Sequence, residues 1–279
     1  MLIFPKKLVL GQSEQELVAL VRAHLVWRAL DFFSNFAGKL FRPMKGTFFT
    51  IAMAFALASC TSGVDKVIRK AQRGNSNAQL EYARLLKTRG NGVEQDWQKS
   101  VQMLHLASDN GNADAQWELG LMYEFSDKVQ QDPSKAFELY AKSAGAGSPI
   151  GLYLVAHCYQ HGIAVEENTA LSDSLYTKAF EQLIRLAPRE DMYVLNFVGS
   201  AYYWGDGVAV DRKKAFEYYL ISAQKGNPET QYKVGNCYET GQGTTRDMDK
   251  AIEWYIKSAL QGYPDAIAAI EKYGQNLPY

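Results

Sequence analysis

The sequence predicts an all-α fold, a solenoid of about five stacked helix-turn-helix units. Three observations predict it. First, landmarks recur at a fixed period. Gly199, Tyr202, Gly205, Gly207, Asp211, Lys214, Ala215, Tyr219, Ala223 and Gly226 return 36 residues later as Gly235, Tyr238, Gly241, Gly243, Asp247, Lys250, Ala251, Tyr255, Ala259 and Gly262. A period of this size marks a stacked repeat array. Second, apolar residues inside the unit lie on one face of a helix, once before and once after a Gly-x-Gly break. Third, no hairpin of this size buries its apolar face alone, so neighbours must stack into a continuous core.

The elements of the unit follow in order. Leu195, Val198, Gly199 and Tyr202 sit at i, i+3, i+4 and i+7, the pattern of a first helix. Gly205 and Gly207 break it and permit a tight turn. Asp211 is placed to cap the free amides of a second helix, whose buried face is Ala215, Tyr218, Tyr219 and Ser222. Gly226 ends that helix as a left-handed cap. Asn227 caps the next one, with Pro228 at a first position where a missing amide costs nothing. Gly199 and Gly235 lie inside helices, where Gly costs about 1 kcal/mol relative to Ala. The expected compensation is close approach of the partner helix, and Gly120 and Ala156 keep the same position small.

Along the chain, the composition is that of a soluble globular body, 47% hydrophobic and 22% charged with zero formal net charge. That balance gives no electrostatic footprint for nucleic acid. Residues 1–43 lie outside the repeat, although Glu14 to Phe41 could form an amphipathic helix with Leu17, Leu20, Val21 and Leu25 on one side. Residues 44–59 read as a signal peptide: Lys45 is the positive start, Phe48 to Leu57 the apolar run, and Ala58 and Ser59 precede Cys60. Such a run is too short to span a bilayer, which needs about 20 apolar residues. Residues 60–76 are a tether and a capping helix, Val64 to Gly74 being an unpaired second helix.

The repeats occupy 77–263. Repeat one, Asn77 to Asn112, is degenerate, with Ala83, Leu86 and a Gly90-Asn91-Gly92 turn. Repeat two, Ala113 to Ser148, has Ser126-Asp127-Lys128 in place of Gly-x-Gly but keeps Asp132-Pro133. Repeat three starts at Pro149 and is seven residues too long, the excess falling in Ala179 to Glu190. Its second helix should run on to near Pro188, bending the solenoid or presenting a ridge. Residues 264–279 are a last capping helix, from Pro264 to Tyr273, and a frayed tail.

The segments Leu119 to Tyr123, Val198 to Val208, Val234 to Gly243, Asp211 to Tyr219 and Asp247 to Gly262 together resemble the Sel1-like repeat, a relative of the tetratricopeptide repeat. The resemblance covers roughly residues 64 to 273. It implies a right-handed α-solenoid used for protein–protein interaction, with first helices lining the concave face. The stripe beside the core positions of the first helices gives the candidate partner-binding residues: Trp117, Tyr153, His157, Asn196, Ser200, Tyr203, Tyr232 and Asn236. Rings give contact area at low entropic cost and amides pair with extended backbone, so the stripe suits a peptide. Aromatic residues at the first of these positions are also common in the family, where they pack between neighbours.

Leu57-Ala58-Ser59-Cys60 resembles a bacterial lipobox, which implies that Cys60 is lipidated and becomes the mature N-terminus. Acyl chains contributing about 0.8 kcal/mol per buried CH₂ would hold the protein at a membrane. Thr61 in place of Asp resembles an outer-membrane address. A plain anchor helix with an incidental cysteine is the alternative. A signal at this position makes Met44 the expected initiator and residues 1–43 an upstream extension outside the native product.

Signs of chemistry are sparse. The sequence has neither a Walker A loop nor a G-x-S-x-G elbow, and its Gly-x-Gly pairs follow helices, which makes them turns rather than phosphate loops. His157 and His161 are four apart on a helix, so both could reach one metal ion, with Glu166 or Glu167 as a further ligand. The intervening Cys158-Tyr159-Gln160 lacks the Glu of an H-E-x-x-H protease, and other repeats hold Leu121 and Phe125, or Ser200 and Trp204, at these positions. The pair therefore reads as variation on an exposed face, and no metal, cofactor or catalytic residue is assigned. Cys158 and Cys237 occupy one position in repeats three and five, too far apart for a disulfide. Some secreted relatives carry a disulfide per repeat and are linked to penicillin binding or β-lactamase activity; this chain lacks that cysteine pattern.

The expected function is a non-enzymatic, lipid-anchored scaffold of the bacterial cell envelope, an outer-membrane lipoprotein facing the periplasm or cell surface. It would bind a protein or peptide on its concave face. The alternative is an envelope hydrolase acting on peptidoglycan or a β-lactam, with His157 and His161 as metal ligands.

Overall fold

The computed structural model describes residues 63–88, 93–189 and 191–274. The lipobox with Cys60, the signal segment and the extension of residues 1–43 lie outside the described residues. Among the described residues the structure is all helical. Helix α1 occupies residues 63–72. There follow α2 (Ser76–Lys87), α3 (Trp97–Asp109), α4 (Ala113–Phe125), α5 (Pro133–Gly145), α6 (Pro149–His161) and α7 (Thr169–Leu186), then a 3₁₀ turn at Ala187–Arg189. The chain continues as α8 (Met192–Trp204), α9 (Arg212–Gln224), α10 (Pro228–Thr240), α11 (Met248–Leu260) and α12 (Pro264–Gly274). Helices pair as α2–α3, α4–α5, α6–α7, α8–α9 and α10–α11, and each hairpin packs on the next. This is the expected solenoid of five hairpins.

Local chemistry sets each boundary. Every second helix begins at an Asp or Asn whose carboxylate or amide oxygen accepts the amide of the residue three on: Asp96, Asp132, Asn168, Asp211 and Asp247. The amide of the same residue donates back into the first helix, to the carbonyl of Leu86, Tyr123, Tyr159, Tyr202 and Tyr238 in turn, at 2.8–3.0 Å. In three repeats the lysine three past the cap pairs with the capping Asp and also lies 5.2–5.4 Å from that Tyr ring: Lys135, Lys214 and Lys250. The recurrence of Tyr, Asp and Lys in the sequence is thus one closed turn. The second glycine of the Gly-x-Gly turns in repeats four and five, Gly207 and Gly243, is a stacking contact. A Cβ on Gly243, at φ +75°, would lie 2.0 Å from the Arg212 carbonyl of the preceding hairpin.

Inside each hairpin the two helices touch through small residues, as the interior glycines predict. A Cβ on Gly120, Gly199 or Gly235 would fall 2.4–2.6 Å from the ring of Tyr140, Tyr219 or Tyr255. One buried serine on the second helix donates across to a first-helix carbonyl, and it occupies one of two positions seven residues apart. In repeats one and three it sits early: Ser100 to Ala83 at 2.8 Å and Ser172 to Ala156 at 2.9 Å. In repeats two, four and five it sits late: Ser143 to Ala113, Ser222 to Met192 and Ser258 to Pro228, at 2.6–2.7 Å. The position without serine holds Ala107, Ala179, Ala136, Ala215 or Ala251, each 0% exposed.

Both ends are capped by half-units. Gln79 donates to the Ala71 carbonyl on α1 at 3.3 Å, as Gln116 does to Ser108 and Gln231 to Ala223. Helix α1 therefore stands where a second helix would. At the other end α12 buries Ala266, and Tyr273 stacks on Tyr255 at 6.2 Å. The surplus residues of repeat three lengthen its second helix to 18 residues against 13 in the others. The 3₁₀ turn then carries it through Pro188.

Gly199→Ala should destabilise the array by about 1–3 kcal/mol, the usual cost of an overpacked core. The added methyl meets Tyr219 ring carbons at 2.6 and 2.7 Å and the Ala215 carbonyl at 3.2 Å, backbone that cannot turn aside. The check is urea unfolding of both proteins: an unchanged midpoint would contradict the close-approach account.

Candidate functional site

The eight candidate residues lie on α4, α6, α8 and α10, the first helices of repeats two to five. Seven of them divide into an inner and an outer group, and His157 stands apart. Trp117 is 3% exposed; its indole N–H donates to Asp114 at 3.1 Å and its ring meets Tyr193 and Phe197 of α8 edge-on at 5.6 and 5.9 Å. Tyr153 is buried between Tyr176 and Phe197 and donates its hydroxyl to Asp206. Asn196 and Ser200 are buried as well. Asn196 donates to Glu229 at 3.1 Å and accepts from Lys233 at 2.9 Å, while Ser200 accepts from Tyr219 and Lys233. These four side chains are engaged inside the array.

The reason is curvature. Trp117 of repeat two reaches α8 of repeat four, and Arg84 of repeat one lies 4.1 Å from the Tyr193 ring centroid, also on α8. First helices that meet across two and three intervals lie on the inside of the curve. They also fill it. Arg84 and Lys87 pair with Glu118 of repeat two at 2.5 and 2.6 Å, and the Glu118 side chain is only 4% exposed. Burial pushes that carboxyl upward, but the two cations prevail and hold it below the usual carboxylate range. This charge cluster was not singled out from the sequence. The signal was Glu118 itself, an acid within an apolar helix face and lacking an opposite charge three or four residues away.

The outer group is accessible. Tyr203, Tyr232 and Asn236 are partly exposed. Tyr203 donates to Gln242 at 2.5 Å, and the Arg212 guanidinium lies 3.7 Å over its ring. Next to it Trp204 is 67% exposed, its ring 4.7 Å from that of Tyr203. Tyr232 leans on Tyr255 and Tyr263 at 5.4 and 5.6 Å.

His157 is half-buried, with its ring 4.5 Å from that of His161 and its Nδ1 3.9 Å from Glu124 Oε1. Burial, with His161 beside it, pulls the His157 pKa down to about 4, so the ring is neutral at pH 7. Neither Glu166 nor Glu167 is the carboxylate that approaches it; Glu124 of the preceding repeat is. Cys158 and Cys237 are buried free thiols, pushed up by burial to about 12 and about 11, so neither is a ready nucleophile. No described helix is long and apolar enough to cross a membrane.

Comparison with known proteins identifies the repeat. The family model described as Sel1 repeat matches residues 76–112, 113–148, 149–182, 193–227 and 228–263. The gap before residue 193 holds the surplus of repeat three. An uncharacterised Sel1-like repeat-containing protein of Schizosaccharomyces pombe is 28% identical over 160 residues, which cover 57% of this chain and 22% of that protein's length. Among solved structures, a Sel1 repeat protein from Oxalobacter formigenes is 29% identical, with a TM-score of 0.43, covering 74% of this chain and 80% of that one. A protective antigen of uropathogenic Escherichia coli with an SLR fold is 28% identical, with a TM-score of 0.40, covering 87% of this chain and 51% of that one.

The Glu118 cluster should make stability fall in acid. Its pKa is lower folded than unfolded, so the stabilisation is complete above the ordinary glutamate value of about 4.3 and is lost as pH falls through the lowered one. Glu118→Gln should cost about 1–3 kcal/mol at pH 7, the scale of hydrogen bonds to charged groups. The gap between the two proteins should narrow as the pH falls below the ordinary glutamate value. Denaturant midpoints at a series of pH values would show this; a gap constant with pH would assign the loss to packing alone.

Proposed function

This chain belongs to the Sel1 repeat family, and on that premise we propose that it is a lipid-anchored scaffold of the bacterial cell envelope that holds a protein or peptide partner on the open half of its concave face. Sel1 repeat proteins are in general protein-interaction scaffolds. The observation that carries the proposal is the division of the stripe. With Trp117, Tyr153, Asn196 and Ser200 committed to internal contacts, recognition falls to Tyr203, Tyr232 and Asn236, beside the exposed Trp204 ring and the Arg212 guanidinium. Rings, an amide and a guanidinium suit an extended peptide with an apolar anchor and a carboxylate. The supporting sign for the anchor is the apolar run ending in Leu57-Ala58-Ser59-Cys60, with Thr61 after it as the outer-membrane address. For the hydrolase alternative, the two described thiols are buried and offer no ready nucleophile.

Two outcomes test this reading. A photo-crosslinking residue at Trp204 or Asn236 should give a discrete adduct in cells, whereas one at the exposed Glu181 on α7 should not; equal adducts at all three would remove the assigned face. Cys60→Ala should move the protein out of the membrane fraction, and a variant still sedimenting with membranes would end the lipid-anchor proposal.

A further inference from the structure

The histidine pair and the buried carboxylate beside it are not used by the scaffold reading. Glu124 lies in the last turn of the first helix of repeat two, and its side chain is 5% exposed. One oxygen, Oε2, accepts the Tyr140 hydroxyl at 2.7 Å, which fixes the carboxylate plane. The other, Oε1, is buried and accepts no hydrogen bond. A buried acceptor without a partner is costly and calls for an explanation. That oxygen lies 3.9 Å from Nδ1 of His157 on the next repeat, and the His161 ring lies 4.5 Å from the His157 ring.

We propose that Glu124, His157 and His161 form a binding site for one divalent transition-metal ion of the zinc, cobalt and nickel class, spanning repeats two and three. Two imidazoles and one carboxylate are the donor set such ions prefer, whereas calcium and magnesium take oxygen alone. Ligands about 2.0–2.1 Å from a tetrahedral ion lie roughly 3.4 Å apart, so the Glu124–His157 gap needs to close by only about 0.5 Å. Among the described residues no three such groups already stand arranged around one point. Closure falls to His161, which is exposed and whose ring can turn without disturbing the core. A fourth position stays open to water. The Tyr140 hydroxyl holds the carboxylate from behind, the kind of outer support metal ligands depend on. The proposal assigns binding and no reaction, and it stands apart from the scaffold reading.

The test is titration of the full chain with Co²⁺, followed by displacement with Zn²⁺. We expect one equivalent of cobalt to bind with the visible absorption of a low-coordinate site, and the thermal midpoint to rise as it does. Glu124→Gln, which still accepts from Tyr140, and His161→Ala, at an exposed position, should each weaken binding at least about 10-fold. His105→Asn, a histidine elsewhere in the array, should leave it unchanged. Absence of stoichiometric uptake overturns the site. So does binding unaffected by Glu124→Gln or His161→Ala, or binding lost in His105→Asn.

Discussion

The closeness of the two helices in each hairpin is the constraint on which the array depends. Helix backbones that nearly touch leave buried carbonyls with no room for water, and a hydroxyl on the facing helix is the least bulky group that can satisfy one. Each hairpin supplies one. The choice of early or late serine goes with the residue opposite. Early serine, in Ser100 and Ser172, accompanies alanine on the first helix at Ala83 and Ala156. Late serine accompanies Gly120, Gly199 and Gly235, each pressed by a tyrosine ring. Two packings of one hairpin occur along the chain, and each satisfies a first-helix carbonyl with a serine hydroxyl.

Curvature follows from how these hairpins stack. The second glycines of the turns in repeats four and five lie against the backbone of the preceding second helix. The long α7 then alters the step between repeats three and four, and α8 arrives where Tyr193 and Phe197 meet Arg84 and Trp117. A groove that would otherwise be open is filled by the protein's own rings and charges. What stays accessible lies towards repeats four and five.

The fold was legible in the sequence because a repeat tests itself: a landmark misread in one copy is corrected by the next. Caps, the turns of repeats four and five, the glycine approach and the longer helix of repeat three rest on local spacing, and they are found among the described residues. The first capping helix was legible for the same reason, Gln79 repeating the role of Gln116 and Gln231. The site was less legible. The stripe lies on the first helices, but whether a residue there meets solvent or a helix two or three units away is set by superhelical pitch, which a sum of small rotations decides. Trp117 and Tyr232 hold corresponding positions, and one is sealed while the other is partly open. Glu124 was not recognisable as the neighbour of His157, because the two belong to different repeats.

The contact of Arg84 with Tyr193 has a consequence for how the chain comes apart. A linear array holds energy only between adjacent units, so its ends melt first and any stretch can persist alone. A link from the first unit to the fourth closes a loop of contacts. Opening any unit inside that loop sacrifices the link as well as two ordinary seams, so the first four units should open and close together, as one block in hydrogen exchange, with the fifth behaving as an appendage. The face that the contact removes from recognition is returned as cooperativity, giving a rigid body from which the more freely moving end can reach a partner.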